Sequence, residues 1–215
     1  MTAAAPLASG RTADVYALGD GRVLRRYRFD WDVRAEAETM RHLRAEGFPV
    51  PRVHHAEGRD LVLDRVTGPT LVQSFVSGVV DAGDAARLLV DLHARLHALP
   101  AVRSSDPAVR ILHLDLHPEN VLLTSAGPVV IDWTNATEGP PELDRAMTAL
   151  LVAEVAVDPS LPLSGAAHAL LVAYVAEAGP LGSVEAATRR RAVLGPPDPA
   201  RLPEAAALVR SLVPG

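Results

Sequence analysis

Apolar positions in the first third of the chain come in short alternating blocks. Val15-Tyr16-Ala17-Leu18 and Arg22-Val23-Leu24-Arg25-Arg26-Tyr27 flank Gly19-Asp20-Gly21, the pattern of a β-hairpin. Asp32 to Ala45 then places apolar or small residues at 33, 37, 40 and 43 between charges, which predicts an amphipathic helix stopped by Gly47 and Pro49. Val50-Pro51-Arg52-Val53 and Asp60-Leu61-Val62-Leu63 predict two more strands, with His54-His55 as an exposed turn between them. Beyond Gly68-Pro69 the spacing becomes helical. Leu88, Leu89, Leu92 and Leu96 share one face of a segment from Asp84 to Leu99, which ends at Pro100. A Ser/Asp/Pro loop (104–107) leads to an apolar, strand-like block at 111–132, and helices are expected over 142–157, 164–178, 183–193 and 203–212. Strands followed by helices predict an α+β fold of two lobes. A small antiparallel β lobe with one helix spans residues 1–66, and a larger, mostly helical lobe spans 67–215.

Composition narrows the chemistry. The 215 residues contain no cysteine, which removes disulfides and thiolate metal sites. All 21 basic residues are arginine, so chemistry that needs a lysine amine, such as a Schiff base or a P-loop lysine, is excluded. The net charge of −5 argues against a nucleic-acid partner. Met1–Gly10 lacks the features of a signal peptide and no apolar run reaches membrane-spanning length, so a soluble cytoplasmic protein is expected. Residues 1–110 carry 15 arginines against 14 acids, whereas 111–215 carry 6 against 12. The acid excess of the second half is compatible with an amine-bearing substrate or with an ordinary solvated surface.

The most informative stretch is His113-Leu114-Asp115-Leu116-His117-Pro118-Glu119-Asn120-Val121-Leu122-Leu123, followed by Pro128-Val129-Val130-Ile131-Asp132-Trp133. Val121–Thr124 and Pro128–Ile131 predict a hairpin across Ser125-Ala126-Gly127. A turn centred on Ala126 sets Asn120 opposite Asp132, and directly opposed residues lie within about 5 Å. A carboxamide and a carboxylate oxygen so placed are hard ligands suited to Mg²⁺. Asp115 adds a separate carboxylate beside them, as phosphoryl transfer requires.

The motif His-Leu-Asp-Leu-His-Pro-Glu-Asn-Val-Leu-Leu with a following Val-Ile-Asp-Trp resembles the aminoglycoside phosphotransferase and choline-kinase-like family, which has a protein-kinase-like fold. The resemblance implies a kinase that uses ATP (or GTP) and Mg²⁺ to phosphorylate a hydroxyl of a small molecule. Asp115 would orient or deprotonate that hydroxyl, His113 would brace the catalytic loop, and Asn120 and Asp132 would hold Mg²⁺. Upstream, Gly10 to Tyr16 looks like the phosphate-covering turn, Arg25 takes the place of the phosphate-anchoring lysine, and Glu36 matches the helix glutamate. Leu63-Asp64-Arg65-Val66-Thr67-Gly68 resembles the hinge between lobes, where backbone groups of Asp64 and Val66 would pair with adenine. Leu114 stands where the family usually has glycine. Leu96-His97-Ala98-Leu99 and Pro141-Glu142-Leu143-Asp144 are further family landmarks. The likeness spans about residues 9–150.

Other readings compete. The absent lysine leaves room for a nucleotide-binding scaffold without transferase activity. His113, Asp115 and His117 could ligate the metal of a hydrolase, although that leaves Asn120, Asp132 and the N-terminal lobe without a role. His93 and His97 read as a helix surface or core edge, and Arg189-Arg190-Arg191 as a solvated helix end, with a contact to phosphate or an acidic partner as the alternative. Trp31 and Trp133 read as packing residues, with Trp133 a candidate to line the cleft.

Overall fold

The computed structural model describes residues 5–195 and 198–213. The first four residues of the Met1–Gly10 segment lie outside the described residues. Five strands open the chain: β1 (Ala8–Ser9), β2 (Ala13–Leu18), β3 (Arg22–Tyr27), β4 (Val53–Glu57) and β5 (Asp60–Asp64). They form one antiparallel sheet in the order β1-β2-β3-β5-β4. The β2–β3 hairpin closes over Gly19-Asp20-Gly21, with Asp20 and Gly21 at φ 61° and 68°, as the sequence predicts. Leu61 and Leu63 of β5 point inward at two-residue spacing, and α1 (Arg34–Ala45) buries Ala37, Met40 and Leu43 beside them in the same core.

The strand expected at 50–53 begins only at Val53 and runs through His54 and His55, so this pair is not a turn. Pro49 and Pro51 have no N–H to offer a ladder, and pairing starts where donors return. Asp64 explains the position of His54: its carboxylate contacts His54 Nε2 at 2.7 Å.

Gly68 and Pro69 carry the chain from the sheet into the helical part. A Cβ on Gly68, at φ 153°, would stand 2.2 Å from the Leu123 carbonyl oxygen, so only glycine fits. A short helix that the apolar spacing does not predict, α2 (Leu71–Val76), follows. Its signal is a capping box, in which Thr70 accepts from the Gln73 N–H and Gln73 accepts from the Thr70 N–H. Then come α3 (Ala82–His97), β6 (Arg110–Leu112), a 3₁₀ turn at Pro118–Asn120, β7 (Val121–Thr124), β8 (Gly127–Val130) and β9 (Thr137–Gly139). The helices α4 (Pro141–Ala156), α5 (Ser164–Ala178), α6 (Val184–Leu194) and α7 (Leu202–Leu212) complete the chain, close to the predicted bounds. β7 pairs with β8, and β6 pairs with β9 to form a second small ladder.

α4 is the axis of this part and packs against α5, α6 and α7. Ala146, Ala149, Leu150 and Ala153 are fully buried along it, and small residues at this spacing let neighbouring helices approach closely. Trp133 is buried at the base of the β7–β8 hairpin, against Phe48 and His113, and lines neither of the cavities described below. Trp31 is exposed and stacks on Tyr27 at 5.8 Å between ring centroids. Among the described residues no helix is long and apolar enough to cross a membrane.

Candidate active site

β3 presents Val23 and Arg25 to a cleft of about 710 Å³ lined also by Gly10, Glu36, Asp64, Val66, Asp115, Asn120 and Asp132. The sheet thus meets the β7–β8 hairpin across this space. Eight of the nine residues expected to form the site line it, and the ninth, His113, lies behind it.

Arg25 holds the two sides together. Its Nη1 donates to Glu36 Oε1 (3.1 Å), while Nη2 donates to Asp132 Oδ1 (2.5 Å) and Thr134 Oγ1 (2.7 Å). Tyr27 donates its hydroxyl to the other Glu36 oxygen at 2.6 Å, and the guanidinium sits 5.1 Å from the centre of the Tyr27 ring. Burial disfavours the Arg25 charge, but Asp132 and Glu36 more than offset it and raise its pKa. Burial also works to raise Asp132, yet Arg25 and Thr134 hold that carboxyl below its ordinary value. Asp132 is therefore an anion at neutral pH.

The hairpin register differs by one residue from the sequence expectation. Val121 pairs with Val130 and Thr124 with Gly127, which leaves Ser125 and Ala126 as a two-residue loop. Asn120 consequently opposes Ile131, whose N–H donates to its carbonyl at 2.9 Å, and Asp132 stands one position beyond the ladder. Asp132 has φ 63°, a left-handed conformation for a residue with a Cβ. Gly127, at φ 116°, supplies the tighter closure that shifts the register.

Asn120 donates through Nδ2 to the Asp115 carbonyl (2.8 Å) and to its Oδ2 (3.3 Å). These bonds leave Asn120 Oδ1, and those of Asp132 leave its Oδ2, as oxygen donors for a cation. Such hard donors fit Mg²⁺, which takes few protein ligands. Asp115 is pushed up to about 6, chiefly by burial and further by Asp132, against the opposing pull of His113 and Arg191. A carboxylate tuned this close to neutrality suits proton transfer.

Behind Asp115 the loop is held by Asp144 of α4, a fully buried carboxylate. It accepts from the His113 N–H (3.0 Å), the Leu114 N–H (2.7 Å) and His97 Nε2 (3.0 Å). Leu114 lies at φ 59°, a conformation that costs a non-glycine residue about 1–2 kcal/mol. The Asp144 bond to its N–H fixes it there. His113 contacts the Ile131 carbonyl through Nε2 (3.1 Å) and accepts from the Asp115 N–H through Nδ1 (3.2 Å). Both ring nitrogens are thus occupied, and burial lowers the His113 pKa. That removes the His-Asp-His hydrolase reading, and among the described residues no group of three His, Cys, Asp or Glu side chains could hold a metal.

A second cavity of about 390 Å³ opens on the other side of Asp115, between α2, α4, α5 and the α6–α7 region. Asp115 and Arg11 line both spaces.

A model of the phosphotransferase enzyme family matches residues 3–108 and 99–180. The chain belongs to this family. No curated protein matches the sequence closely enough to count as a relative. Among solved structures, the chain is similar to the aminoglycoside phosphotransferase APH(4)-Ia in complex with AMP-PNP and hygromycin B, at 15% identity and a TM-score of 0.61. That match covers 96% of this chain and 93% of the other. The gentamicin complex of APH(2")-IIa matches at 14% identity and a TM-score of 0.61, covering 97% and 92%. The amicoumacin kinase hAmiN with AMP-PNP, Ca²⁺ and Ami matches at 13% and 0.56, covering 97% and 78%. At these identities the likeness establishes the protein-kinase-like α+β fold.

Within this phosphotransferase, three residues of the site carried no assigned role in the sequence. Asp144 stood in a recognisable Pro-Glu-Leu-Asp motif, so its place was marked although its function was not. Thr134, two residues past Asp132, had no such signal. Arg191 read as solvated, yet it is buried and donates to both oxygens of Glu154 at 2.6 and 2.9 Å.

Proposed function

We propose that the protein is a small-molecule kinase that transfers the γ-phosphoryl group of ATP (or GTP) to a hydroxyl. The observation that carries this reading is the position of Asp115. Among the described residues it is the one carboxylate that lines both the cleft and the second cavity. A nucleotide in the cleft and an alcohol in the cavity would therefore meet at Asp115.

In this reading the adenine lies against the backbone of Asp64 and Val66. Among the described residues no group of the protein accepts from the Val66 N–H, which leaves it for a base. Arg25 offers a fork to phosphate oxygens, and Glu36 and Tyr27 hold its other side. Asn120 and Asp132 would hold Mg²⁺, which supplies charge neutralisation for the terminal phosphates. Asp115 takes the proton of the acceptor hydroxyl as its oxygen attacks the γ-phosphorus. The bond from that phosphorus to the β–γ bridging oxygen breaks, and the electron pair leaves with the nucleoside diphosphate. His113, outside both cavities, is a positioning residue that fixes the Asp115 backbone.

Calorimetric titration of ATP with and without Mg²⁺, into wild type and Asp132→Ala, tests the reading. Binding that requires both the metal and Asp132 is expected, together with slow phosphoryl transfer to water. Absence of ATP binding in both proteins overturns it. Tight binding with no transfer to water or to any alcohol would instead favour a nucleotide-binding scaffold.

A further inference from the structure

We propose that the second cavity accepts an alcohol whose buried part is apolar and uncharged, and that it rejects polycationic amino sugars. The inference rests on the kinase reading and names the acceptor class for the same site. Its walls are apolar, built by Phe75 and Val76 of α2, Leu151 and Val155 of α4, Leu161, and Leu170 of α5.

Most of the charged groups around these walls are already paired with one another. Five carboxylates and three arginines line the cavity, so the acid excess of the second half of the chain is largely cancelled here. Glu154 is gripped at both oxygens by Arg191, and both side chains are mostly buried. Arg201 lies 2.7 Å from Asp158 and 2.9 Å from Asp198. Apart from Asp115, which the reaction itself needs, Glu119 is the one lining carboxylate without a guanidinium partner among the described residues.

A substrate carrying several ammonium groups needs several free carboxylates. Here every ammonium beyond those that Asp115 and Glu119 can take would have to displace a guanidinium from its partner, and the displaced arginine would remain in the same confined space as a second cation. Breaking a buried pair to leave one charge uncompensated is strongly unfavourable. An apolar body avoids that cost and gains from burial against the aliphatic walls.

The test is calorimetric titration of 2-(1-naphthyl)ethanol, an uncharged alcohol with an apolar body, and of gentamicin, into protein saturated with AMP-PNP and Mg²⁺. The alcohol is expected to bind at one site, and a large excess of gentamicin is expected to leave its isotherm unchanged. Val155→Asp and Leu161→Asp, each placing a charge in the apolar wall, should weaken the alcohol by about tenfold or more without changing AMP-PNP affinity. Leu161 is 40% exposed, so its variant folds even if Val155→Asp does not. Saturable gentamicin binding that displaces the alcohol overturns the proposal. So does alcohol binding that is absent or indifferent to the substitutions. Failure of AMP-PNP to bind overturns the kinase reading instead, and the same comparison without nucleotide still decides the cavity's chemistry.

Discussion

Replacing Asp144 by asparagine should disable the catalytic loop from behind, without touching any group that meets a substrate. The carboxylate is fully buried and accepts three hydrogen bonds, two on Oδ2 and one on Oδ1. An asparagine keeps most of them by placing its carbonyl oxygen at the Oδ2 position. Its amide then faces the Leu114 N–H, donor against donor. The lost charge-assisted bond is worth about 1.5–3 kcal/mol, and the stranded donor adds about 1–3 kcal/mol. The combined loss is therefore about 4 kcal/mol, and with a urea m-value of about 2 kcal/mol/M the unfolding midpoint drops by about 2 M. The same bond holds Leu114 at φ 59°, so its loss frees the loop to relax and carry Asp115 out of place. Urea denaturation and steady-state ATP hydrolysis at pH 7, with ATP affinity measured alongside, provide the assay. Turnover should fall at least tenfold, since a small misplacement of a reacting group is costly, while ATP affinity persists. A midpoint shift below about 0.5 M would refute the hydrogen-bond argument. A full shift with unchanged turnover would refute the claim that Asp144 positions Asp115.

Asp115→Asn should abolish phosphoryl transfer yet bind ATP as wild type does, and equal loss of both in kinetic and calorimetric assays would sink its role as the base. Arg25→Ala leaves Glu36 and Asp132 without their shared cation and should cost about 3–5 kcal/mol in urea denaturation, with ATP binding weakened as well. Arg25→Lys should recover only part of that stability, because an ammonium cannot fork to both carboxylates; full recovery would show that one contact suffices. His93 is buried and its pKa is lowered to about 3, chiefly by desolvation, with Asp144 opposing and His97, His113 and Arg145 adding. Its folded pKa lies below the unfolded value of about 6.5, so its stabilising effect is complete above that pH and declines as pH falls. Each unit below it costs about 1.4 kcal/mol, so wild type should lose about 2 kcal/mol more than His93→Gln between pH 6.5 and 5. Parallel pH–stability curves for the two proteins would exclude that account.

What the sequence made legible follows from range. The β2–β3 hairpin depends on adjacent residues and on a glycine turn, α1 depends on periodicity over a dozen positions, and α4 and α5 rest on Ala/Leu/Val runs set between proline-rich breaks, so each signal lies within one window. The ladder of β6 with β9 joins segments separated by the whole catalytic loop, and three-residue strands carry no readable alternation. Val50–Val53 failed because β propensity ignored the two prolines around Val50. The candidate site was readable where a motif fixed the spacing, as with Asp115, Asn120 and Asp132. It was not readable where chemistry depended on distant partners. Arg191 looked like one of three solvated charges until Glu154, 37 residues away, buried it. The hairpin register missed by one residue because apolar blocks on either side of Ser-Ala-Gly allow two closures, and only the positive φ of Gly127 chooses between them.

Arg25 and Leu114, which stand where the family resemblance places a lysine and a glycine, have opposite physical characters. Arg25 gains contacts: its fork reaches Glu36 on one side and Asp132 with Thr134 on the other, so the two sides of the cleft are tied by one side chain. Leu114 incurs backbone strain, but its side chain is buried with Leu112, Met147 and Leu151, and that burial offsets the strain by about 1.5–3 kcal/mol. Both strained residues of the site, Leu114 and Asp132, are thereby clamped by buried neighbours, Asp144 and Arg25 respectively. In the proposed kinase, the Arg25 clamp would have to let go for a nucleotide and its metal to use Asp132, whereas the Asp144 clamp would not need to move at any step. On that reading the cleft is the part of this site built to rearrange, and the loop carrying Asp115 is the part built to stay.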